Sequence, residues 1–381
     1  MKSTTNPLLS VIMPVYNVSD TLMSSVQSVL QQQVPLELLL INDGSSDTSG
    51  MLCDKLATQY PECIRVFHQS NAGVLAARAI GLKHATGDFI VHCDPDDTVP
   101  EGAYLRMLNV MELKEVDWVT APYRRIHKDS GEILPQDDEA QLYDYRLARM
   151  GVEGYITHEL YFEELLRGYI HSGLWNKMMR RTLINESVLQ GLYAIGRQDF
   201  MEDRYILALI LCFNAPRIYM MNDADPVYNY YLNAASITEN ISFERYIESD
   251  KLLHIIEQLV TPHKNREAVS DSISAKIQQA ASTQPPYNNV SIRLQQAALA
   301  GRIRNFIGGV FSFGGRQIRH DTRFTPINLK AVLRAPLKWT TKTMAVMELL
   351  GIPFAQSADR FSKTVLRRKN KKTRRRCDYE Q

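Results

Sequence analysis

Three carboxylates follow a short apolar run in the first third of the chain. Asp94, Asp96 and Asp97 come directly after residues 89–93. Carboxylates this close repel one another unless they share a cation, and their hard oxygen ligands suit Mg²⁺ or Mn²⁺. Because Mg²⁺ completes its shell with phosphate oxygens and water, the cluster indicates a nucleotide diphosphate as companion. The alternative is an acidic, solvated turn that caps a helix beginning near Pro100.

A second acidic pair stands immediately before the apolar run 204–213. Glu202 and Asp203 at the start of a helix are stabilised by the helix dipole, so capping alone is one explanation. A carboxylate is also a common general base, which makes the pair a candidate for proton transfer. The residue types leave both interpretations open.

Alternating apolar and amphipathic segments predict the elements that position these residues. Short apolar runs over residues 8–15, 36–41, 64–67 and 89–93 predict strands, and the segments between them predict helices. This alternation predicts an α/β fold, with a mostly parallel sheet flanked by helices. Ligands of such sheets bind outside the carboxyl ends of the strands. Polar residues lie at three of those ends: Tyr16-Asn17, Asp43-Gly44-Ser45 and the Asp94-Pro95-Asp96-Asp97 cluster.

Composition and missing motifs exclude several classes of protein. With 45% hydrophobic and 23% charged residues, the chain of 381 residues has ordinary globular composition. It has no GxGxxG fingerprint and no Gly-rich Lys loop, which disfavours dinucleotide enzymes and kinases. The five cysteines are scattered without CxxC spacing, so a reducing, cytosolic environment is expected. No apolar run approaches the ~18 residues of a membrane span, and residues 8–15 are too short for a signal-peptide core.

Four short motifs occur in a fixed order in the N-terminal region. They are Val11-Ile12-Met13-Pro14-Val15-Tyr16-Asn17, then Ile41-Asn42-Asp43-Gly44-Ser45-Ser46-Asp47, then Asn71-Ala72-Gly73 with Ala77-Arg78, and last Gly87-Asp88-Phe89-Ile90 leading to Asp94-Pro95-Asp96-Asp97. Each is weakly specific alone, but all four in this order and spacing resemble family 2 glycosyltransferases. The resemblance covers residues 8 to about 240 and implies the GT-A fold.

The resemblance implies a pocket for the base of a nucleotide sugar, most often a UDP-sugar. Asp43 is expected to hydrogen-bond the base, usually uracil. Pro14, Tyr16 and Asn17 are expected to line the same pocket. Arg78 is expected near the base or the pyrophosphate, with a surface salt bridge as the alternative.

The resemblance also identifies Asp94-Pro95-Asp96 as a DxD motif. Asp96 is the expected ligand of a divalent metal, Mn²⁺ or Mg²⁺, and Asp94 is expected nearer the ribose. Asp97 is a candidate for either role. The sequence departs from the family at Pro95, where a small residue is commoner; proline stiffens the loop but removes no carboxylate.

A second motif series extends the resemblance into the middle of the chain. It comprises Leu174-Trp175-Asn176-Lys177, Glu202-Asp203, Tyr228-Asn229-Tyr230-Tyr231 and Ser236-Ile237-Thr238. In bacterial members the Asp of the Glu-Asp pair is the expected general base, which assigns that role to Asp203. Glu202 is expected to orient it or to touch the acceptor. Lys177 is a candidate phosphate contact, with a plain surface lysine as the alternative, and Leu232 replaces a basic residue common in relatives.

The C-terminal third is predicted to be helical and then strongly basic. Residues 241–325 are expected to form a helical extension of the 1–240 catalytic domain, with a hinge at Gly308-Gly309 and Gly314-Gly315. In that domain residues 1–120 would bind the nucleotide sugar and 121–240 the acceptor.

Charge separates the tail from the rest of the chain. Residues 360–381 contain ten Lys or Arg and two acids, a net +8; because the whole chain carries +2, the remainder is −6. Residues 326–381 are expected to comprise an amphipathic basic segment followed by this tail. The pattern favours binding to an anionic membrane surface, with a solvated tail or nucleic-acid binding as alternatives.

The sequence therefore predicts an inverting, metal-dependent glycosyltransferase. It would transfer a sugar from a nucleotide-sugar donor to a glycan or lipid-linked acceptor. We expect it in the cytoplasm, peripherally associated with the inner face of the cell membrane, with no nucleic acid as partner. Two alternatives are a non-catalytic glycan-assembly partner that retains the fold and a polyprenyl-phosphate glycosyltransferase, whose phosphate acceptor needs no base.

Overall fold

A computed structural model of the chain describes residues 8–134, 154–222, 225–232, 242–260 and 292–313, with single positions at 332, 335, 341 and 345. Its first half follows the alternation predicted from the sequence. In chain order the elements are β1 (Leu9–Val15), α1 (Leu22–Leu30), β2 (Leu36–Asp43), α2 (Ser49–Gln59), β3 (Ile64–Gln69), α3 (Val74–His84), β4 (Phe89–His92) and α4 (Ala103–Leu113). The predicted α/β fold class is confirmed.

The later elements complete the sheet and add further helices. They are β5 (Trp118–Thr120), β6 (Arg124–His127), β7 (Ile133–Leu134), β8 (Tyr155–Ile156), α5 (His158–Leu166), β9 (Lys177–Arg180), α6 (Glu186–Ala194), α7 (Glu202–Phe213), β10 (Ile218–Met220), β11 (Asn229–Leu232), α8 (Phe243–Leu259) and α9 (Ile292–Phe313). A short 3₁₀ helix, Arg181–Leu183, follows β9.

The main sheet of the described residues has the strand order β3-β2-β1-β4-β9-β5-β10-β8. β1 pairs in parallel with β2 and with β4, and β2 pairs in parallel with β3. β9 lies antiparallel between β4 and β5. Since Met178 of β9 pairs with Val91 of β4, Lys177 lies at the carboxyl end of β4, beside the acidic cluster.

Two hydrophobic clusters cover the two faces of this sheet. Ile12 of β1 points into the cluster formed with α3, α5, α6, α7, α8 and α9. Its neighbours Val11 and Met13 point into the cluster formed with α1, α2 and α4. Successive side chains of a strand alternate between faces, so a strand covered on both sides is apolar throughout.

The predicted C-terminal helices pack on the preceding α/β part of the chain. α9 packs against α5 and α8, and Leu252 of α8 and Leu294 of α9 belong to the same cluster as Ile12. The prediction of a hinge at Gly308-Gly309 is wrong, because both glycines lie inside α9. The earlier turns of α9 pack on two helices, and this packing outweighs the low helix propensity of glycine. The domain boundaries remain predictions.

Most of the predicted membrane-binding segment lies outside the described residues, as do Gly314-Gly315 and Ser236-Ile237-Thr238. Three apolar positions within it, Val332, Ala335 and Ala345, are fully buried. These three side chains therefore cannot contact a membrane surface in this conformation. Among the helices described, none combines the length and the hydropathy needed to span a bilayer.

Candidate active site

The loops after β1 and β2 are held together by Asn17. Its Oδ1 accepts hydrogen bonds from the backbone N–H of Ser46 at 2.8 Å and of Asp47 at 3.3 Å. Its own N–H donates to Ser45 Oγ at 3.1 Å. Asn17 has a φ of 53°, a left-handed conformation that asparagine tolerates better than most residues. The neighbouring Tyr16 is 47% exposed and presents its ring at this edge of the sheet.

Pro14 is buried within β1 at the point where β1 and β4 separate. The β1–β4 pairing ends at Ile12 and His92, whereas Pro14 still pairs with Ile41 of β2. Residues two apart in a strand direct their backbone groups to the same side, so the Pro14 nitrogen faces β4 beyond the end of their pairing. Its missing N–H therefore costs no ladder hydrogen bond.

Asp43 holds the loop that begins α3. Its Oδ1 accepts the N–H of Ala72 at 2.8 Å and Nε2 of Gln69 at 2.6 Å, and its Oδ2 accepts the N–H of Gly73 at 2.9 Å. Gly73 has a φ of 93°, a conformation that favours glycine. The carboxylate thus stands at the carboxyl end of β2 with its orientation determined by the 71–73 loop.

The Asp94–Asp97 turn is anchored by β11, which belongs to a second, three-stranded sheet. The backbone N–H of Asp94 donates to the Tyr228 hydroxyl at 2.9 Å, and Asp97 Oδ1 accepts the N–H of Tyr231 at 2.8 Å. Thr98 bridges to Asn229. Asp97 is only 1% exposed, whereas Asp96 points to solvent. The three carboxylates therefore have distinct environments despite their proximity in sequence.

Arg78 lies buried among four charged or polar groups. Its Nη2 is 2.9 Å from Asp94 Oδ1, and its Nε is 3.4 Å from Asp203 Oδ1 and 3.6 Å from Glu202 Oε1. Nη1 donates to Nδ1 of His92 at 3.1 Å. Because Arg78 is 2% exposed, the alternative of a surface salt bridge is wrong. The guanidinium joins the donor-side turn to the predicted base.

Electrostatics make His92 a neutral acceptor and Arg78 a permanent cation. Burial, and then the charge of Arg78, hold the pKa of His92 well below its usual value. Burial opposes the charge of Arg78, but Asp203, Asp94 and Glu202 outweigh it and raise the pKa of Arg78.

Glu202 and Asp203 begin α7 behind a left-handed residue. Met201 has a φ of 61° and turns the chain sharply into the helix. Burial, and then the adjacent Asp203 carboxylate, raise the pKa of Glu202 to about 8. Burial also raises the pKa of Asp203, although Arg78 opposes that shift. The pKa values of both carboxyl groups are therefore raised, and Arg78 opposes the shift at each of them.

Lys177 is fully buried, so the alternative of a plain surface lysine is wrong. Its Nζ donates to His171 O at 2.8 Å, to Gly173 O at 2.6 Å and to Asn176 Oδ1 at 2.7 Å. Burial lowers the pKa of Lys177 to about 7, and the Asp203 carboxylate opposes that shift. These contacts give Lys177 a visible role in holding the 171–176 segment beside Asp203; its predicted phosphate contact remains a prediction.

The acidic turn fits a cation that uses few protein ligands. Asp94 is paired with Arg78, Asp96 is exposed, and Asp97 Oδ2 has no hydrogen-bond partner among the described residues. No group of three or more His, Cys, Asp or Glu side chains in the described part of the chain could hold a metal ion. Mg²⁺ and Mn²⁺ commonly take one or two carboxylates and complete their shells with phosphate and water, so the donor set suits them.

Several residues of this site carry no sequence signal of their own. Tyr228 belongs to a motif, but nothing in the sequence indicates that its hydroxyl binds the acidic turn. Arg197 and Asp199 lie in a loop without a motif, yet they contact the 71–74 segment. Only the proximity of this loop to Glu202-Asp203 in sequence offers a clue.

Two curated bacterial proteins are similar to this chain. The minor teichoic acid biosynthesis protein GgaB of Bacillus subtilis (strain 168) is 41% identical over 118 residues, 30% of this chain and 13% of that protein. The chain thus matches only a small part of the length of GgaB. The glycosyltransferase YibD of Escherichia coli (strain K12) is 28% identical over 267 residues, 66% of this chain and 72% of that protein.

A solved structure shares the fold over nearly the whole chain. S. aureus TarS 1-349, crystallised in complex with UDP-GlcNAc, has a TM-score of 0.56 and 16% sequence identity, covering 93% of this chain and 92% of that one. This likeness confirms the predicted GT-A fold. The family model described as glycosyl transferase family 2 matches residues 10–190. The sequence motifs, the fold and this match agree that residues 10–190 of the chain are similar to glycosyl transferase family 2.

Proposed function

We propose that the protein is an inverting glycosyltransferase that uses a nucleotide sugar, a UDP-sugar, as donor and a hydroxyl group as acceptor. The observation that carries this proposal is the position of Arg78. One buried guanidinium contacts Asp94 of the DxD turn and Asp203 of the Glu-Asp pair. A donor diphosphate at the turn and an acceptor hydroxyl at Asp203 would then be neighbours, as a direct displacement requires.

In the proposed reaction the acceptor oxygen attacks the anomeric carbon of the donor sugar. A carbon–oxygen bond to the acceptor forms as the bond to the diphosphate breaks, and the configuration at the anomeric carbon inverts. The acceptor proton passes to the Asp203 carboxylate, and the nucleoside diphosphate leaves with the electron pair. A well-placed base of this kind typically contributes about 10²–10⁴-fold to the rate.

The residues of the donor pocket keep the roles that the family resemblance implies. We propose that Asp43 accepts a hydrogen bond from the base between Tyr16 and the 71–73 loop, with Pro14 and Asn17 shaping the floor of the pocket. The loop contacts of Asp43 and Asn17 support this arrangement, because they orient both side chains before a ligand arrives.

A divalent metal, Mn²⁺ or Mg²⁺, would be held chiefly by Asp96, with Asp94 and Asp97 as further candidate ligands. When bound, such a metal offsets the negative charge that develops on the leaving diphosphate. The exposed position of Asp96 supports this assignment, since the metal would share its shell with the donor.

The acceptor is proposed to be a hydroxyl of a surface glycan or of a lipid-linked oligosaccharide. The basic tail, residues 360–381, would bring the enzyme to an anionic membrane surface that carries such an acceptor. Removal of residues 357–381 should abolish salt-sensitive flotation with anionic liposomes. Unchanged flotation of the shortened protein would contradict this assignment.

Two variants at one helix terminus test the proposed base. Asp203→Asn should lower transfer by about 10²-fold or more while UDP binding stays near the wild-type value. Glu202→Gln is the matched control, because it makes the same chemical change one residue away. It should lower transfer by a smaller factor than Asp203→Asn. Transfer is measured as UDP release with a panel of UDP-sugars and glycan acceptors, and UDP binding by titration calorimetry with Mn²⁺.

Each outcome separates the proposal from its alternatives. Wild-type turnover by Asp203→Asn would refute the base assignment and favour a phosphate acceptor, which needs no base. Absence of nucleotide binding by the wild-type protein would instead favour a non-catalytic assembly partner.

A further inference from the structure

A loop that no motif marks lies against the nucleotide side of the proposed donor pocket. Arg197 Nη1 donates to Asn71 Oδ1 at 2.6 Å, and its Nε donates to Asp199 Oδ2 at 2.7 Å. Asp199 Oδ1 in turn accepts the N–H of Val74 at 3.3 Å. The loop therefore contacts the same 71–74 segment whose Ala72 and Gly73 N–H groups donate to Asp43.

Close packing places this loop beside Asp43. A Cβ on Gly44, the residue after Asp43, would lie 2.7 Å from the backbone nitrogen of Asn71. A Cβ on Gly73 would lie 2.6 Å from Asp199 Oδ1 and 3.0 Å from Arg197 Cγ. Both glycines thus allow an approach that any side chain would block.

The Arg197 guanidinium interacts electrostatically with groups of the proposed donor pocket. The hydrogen bond to Asp199 is the main cause that raises the pKa of Arg197, and the nearby Asp43 and Tyr16 add to it. A guanidinium carries five N–H donors, and the contacts with Asn71 and Asp199 use two. The side chain is 54% exposed, which leaves the remaining donors accessible to a ligand bound beside the 71–74 segment.

We propose that Arg197 selects the donor nucleotide by donating a hydrogen bond to the C4 carbonyl oxygen of a uracil base held at Asp43. This inference rests on the proposed function. Uracil offers an N–H donor flanked by two carbonyl acceptors, which complements a carboxylate beside a guanidinium. Cytosine presents an amino donor in place of one carbonyl and a bare ring nitrogen in place of the N–H, so it would oppose both protein groups.

The experiment compares UDP with CDP by titration calorimetry on the full chain in the presence of Mn²⁺. The wild-type protein should bind UDP more tightly than CDP. Arg197→Gln should weaken UDP binding about tenfold and leave CDP binding nearly unchanged. The ratio of UDP to CDP affinity should therefore fall about tenfold. Arg217→Gln is the matched control, since Arg217 is also an exposed arginine paired with an aspartate but lies at Asp117.

The ratio of affinities distinguishes base selection from a structural effect. A loop that is merely disturbed would lower UDP and CDP binding by the same factor, and an unchanged ratio in Arg197→Gln would overturn the inference. A wild-type protein that binds both nucleotides equally would also overturn it. A wild-type protein that binds neither would refute the proposed function, and this inference with it.

Discussion

Nε of Arg78 lies 3.4 Å from Oδ1 of Asp203, although the two residues come from helices in different halves of the catalytic region. The same guanidinium contacts Asp94, so a single buried cation holds carboxylates from two motifs. Like charges this close would otherwise repel each other strongly in a low-dielectric interior. Arg78 therefore explains how an acidic turn and an acidic helix terminus occupy one site.

The raised pKa of Glu202 predicts a pH-dependent stability. In the folded protein burial, and then Asp203, raise this pKa to about 8, above the ordinary glutamate value of 4.5. Between these values the unfolded chain has lost a proton that the folded protein keeps, so stability falls as pH rises. Glu202→Gln removes this titration. Urea unfolding should show wild type losing stability relative to the variant from about pH 5 to about pH 9.

Glu62→Gln is the control variant, because it makes the same chemical change at an exposed position outside the site. Parallel stability curves for wild type and Glu202→Gln would contradict the assigned environment of Glu202.

Lys177→Met tests whether the buried lysine is a framework residue. The substitution keeps the length of the side chain but leaves His171 O, Gly173 O and Asn176 Oδ1 without their donor. We expect a loss of about 2–4 kcal/mol in the free energy of unfolding, since buried polar groups without partners are costly. Lys55→Met, at an exposed position of α2, should change stability little. A stable Lys177→Met with weakened UDP binding would favour the predicted phosphate contact instead.

Tyr228→Phe removes the hydroxyl that accepts the Asp94 N–H. The acidic turn should loosen, and UDP affinity in the presence of Mn²⁺ should fall about tenfold, with a stability loss of about 1–3 kcal/mol. Tyr161→Phe is the matched control, because that buried hydroxyl bonds Thr120 instead. Tyr161→Phe should lower the free energy of unfolding by a similar amount and leave the affinity for UDP unchanged. Equal UDP affinities of the two variants would argue against a positioning role for Tyr228.

Gly301→Ala tests the packing of the C-terminal helix on the catalytic part. A Cβ at this position would collide with the carbonyl oxygen of Leu166 at the end of α5, a backbone atom that cannot rotate away. We expect α9 to shift and the protein to lose about 1–3 kcal/mol of stability. Gly196→Ala, where a Cβ meets nothing within 4 Å, should be tolerated. Thermal unfolding of both variants measures the difference, and equal melting temperatures would contradict this close helix contact.

Local patterns were sufficient to predict the first strands and helices and the edge of the sheet at which the candidate site residues lie. β1 and β2 are apolar runs covered on both faces, and such runs are legible from the sequence. The prediction of a hinge at Gly308-Gly309 is wrong because tertiary packing, not local pattern, decides the conformation there. Propensity argues for a break there, but packing of α9 against α5 and α8 decides the conformation.

The sequence by itself determined the family resemblance, the α/β alternation and the order of the acidic motifs, because these depend on residue type and short-range spacing. Only the tertiary structure decided what each charged side chain contacts. It buried Arg78 among carboxylates, buried Lys177 among carbonyls and brought Arg197 to the loop beside Asp43. The physical reason is that burial and ion pairing depend on distances between residues far apart in the chain, which residue type and spacing do not encode.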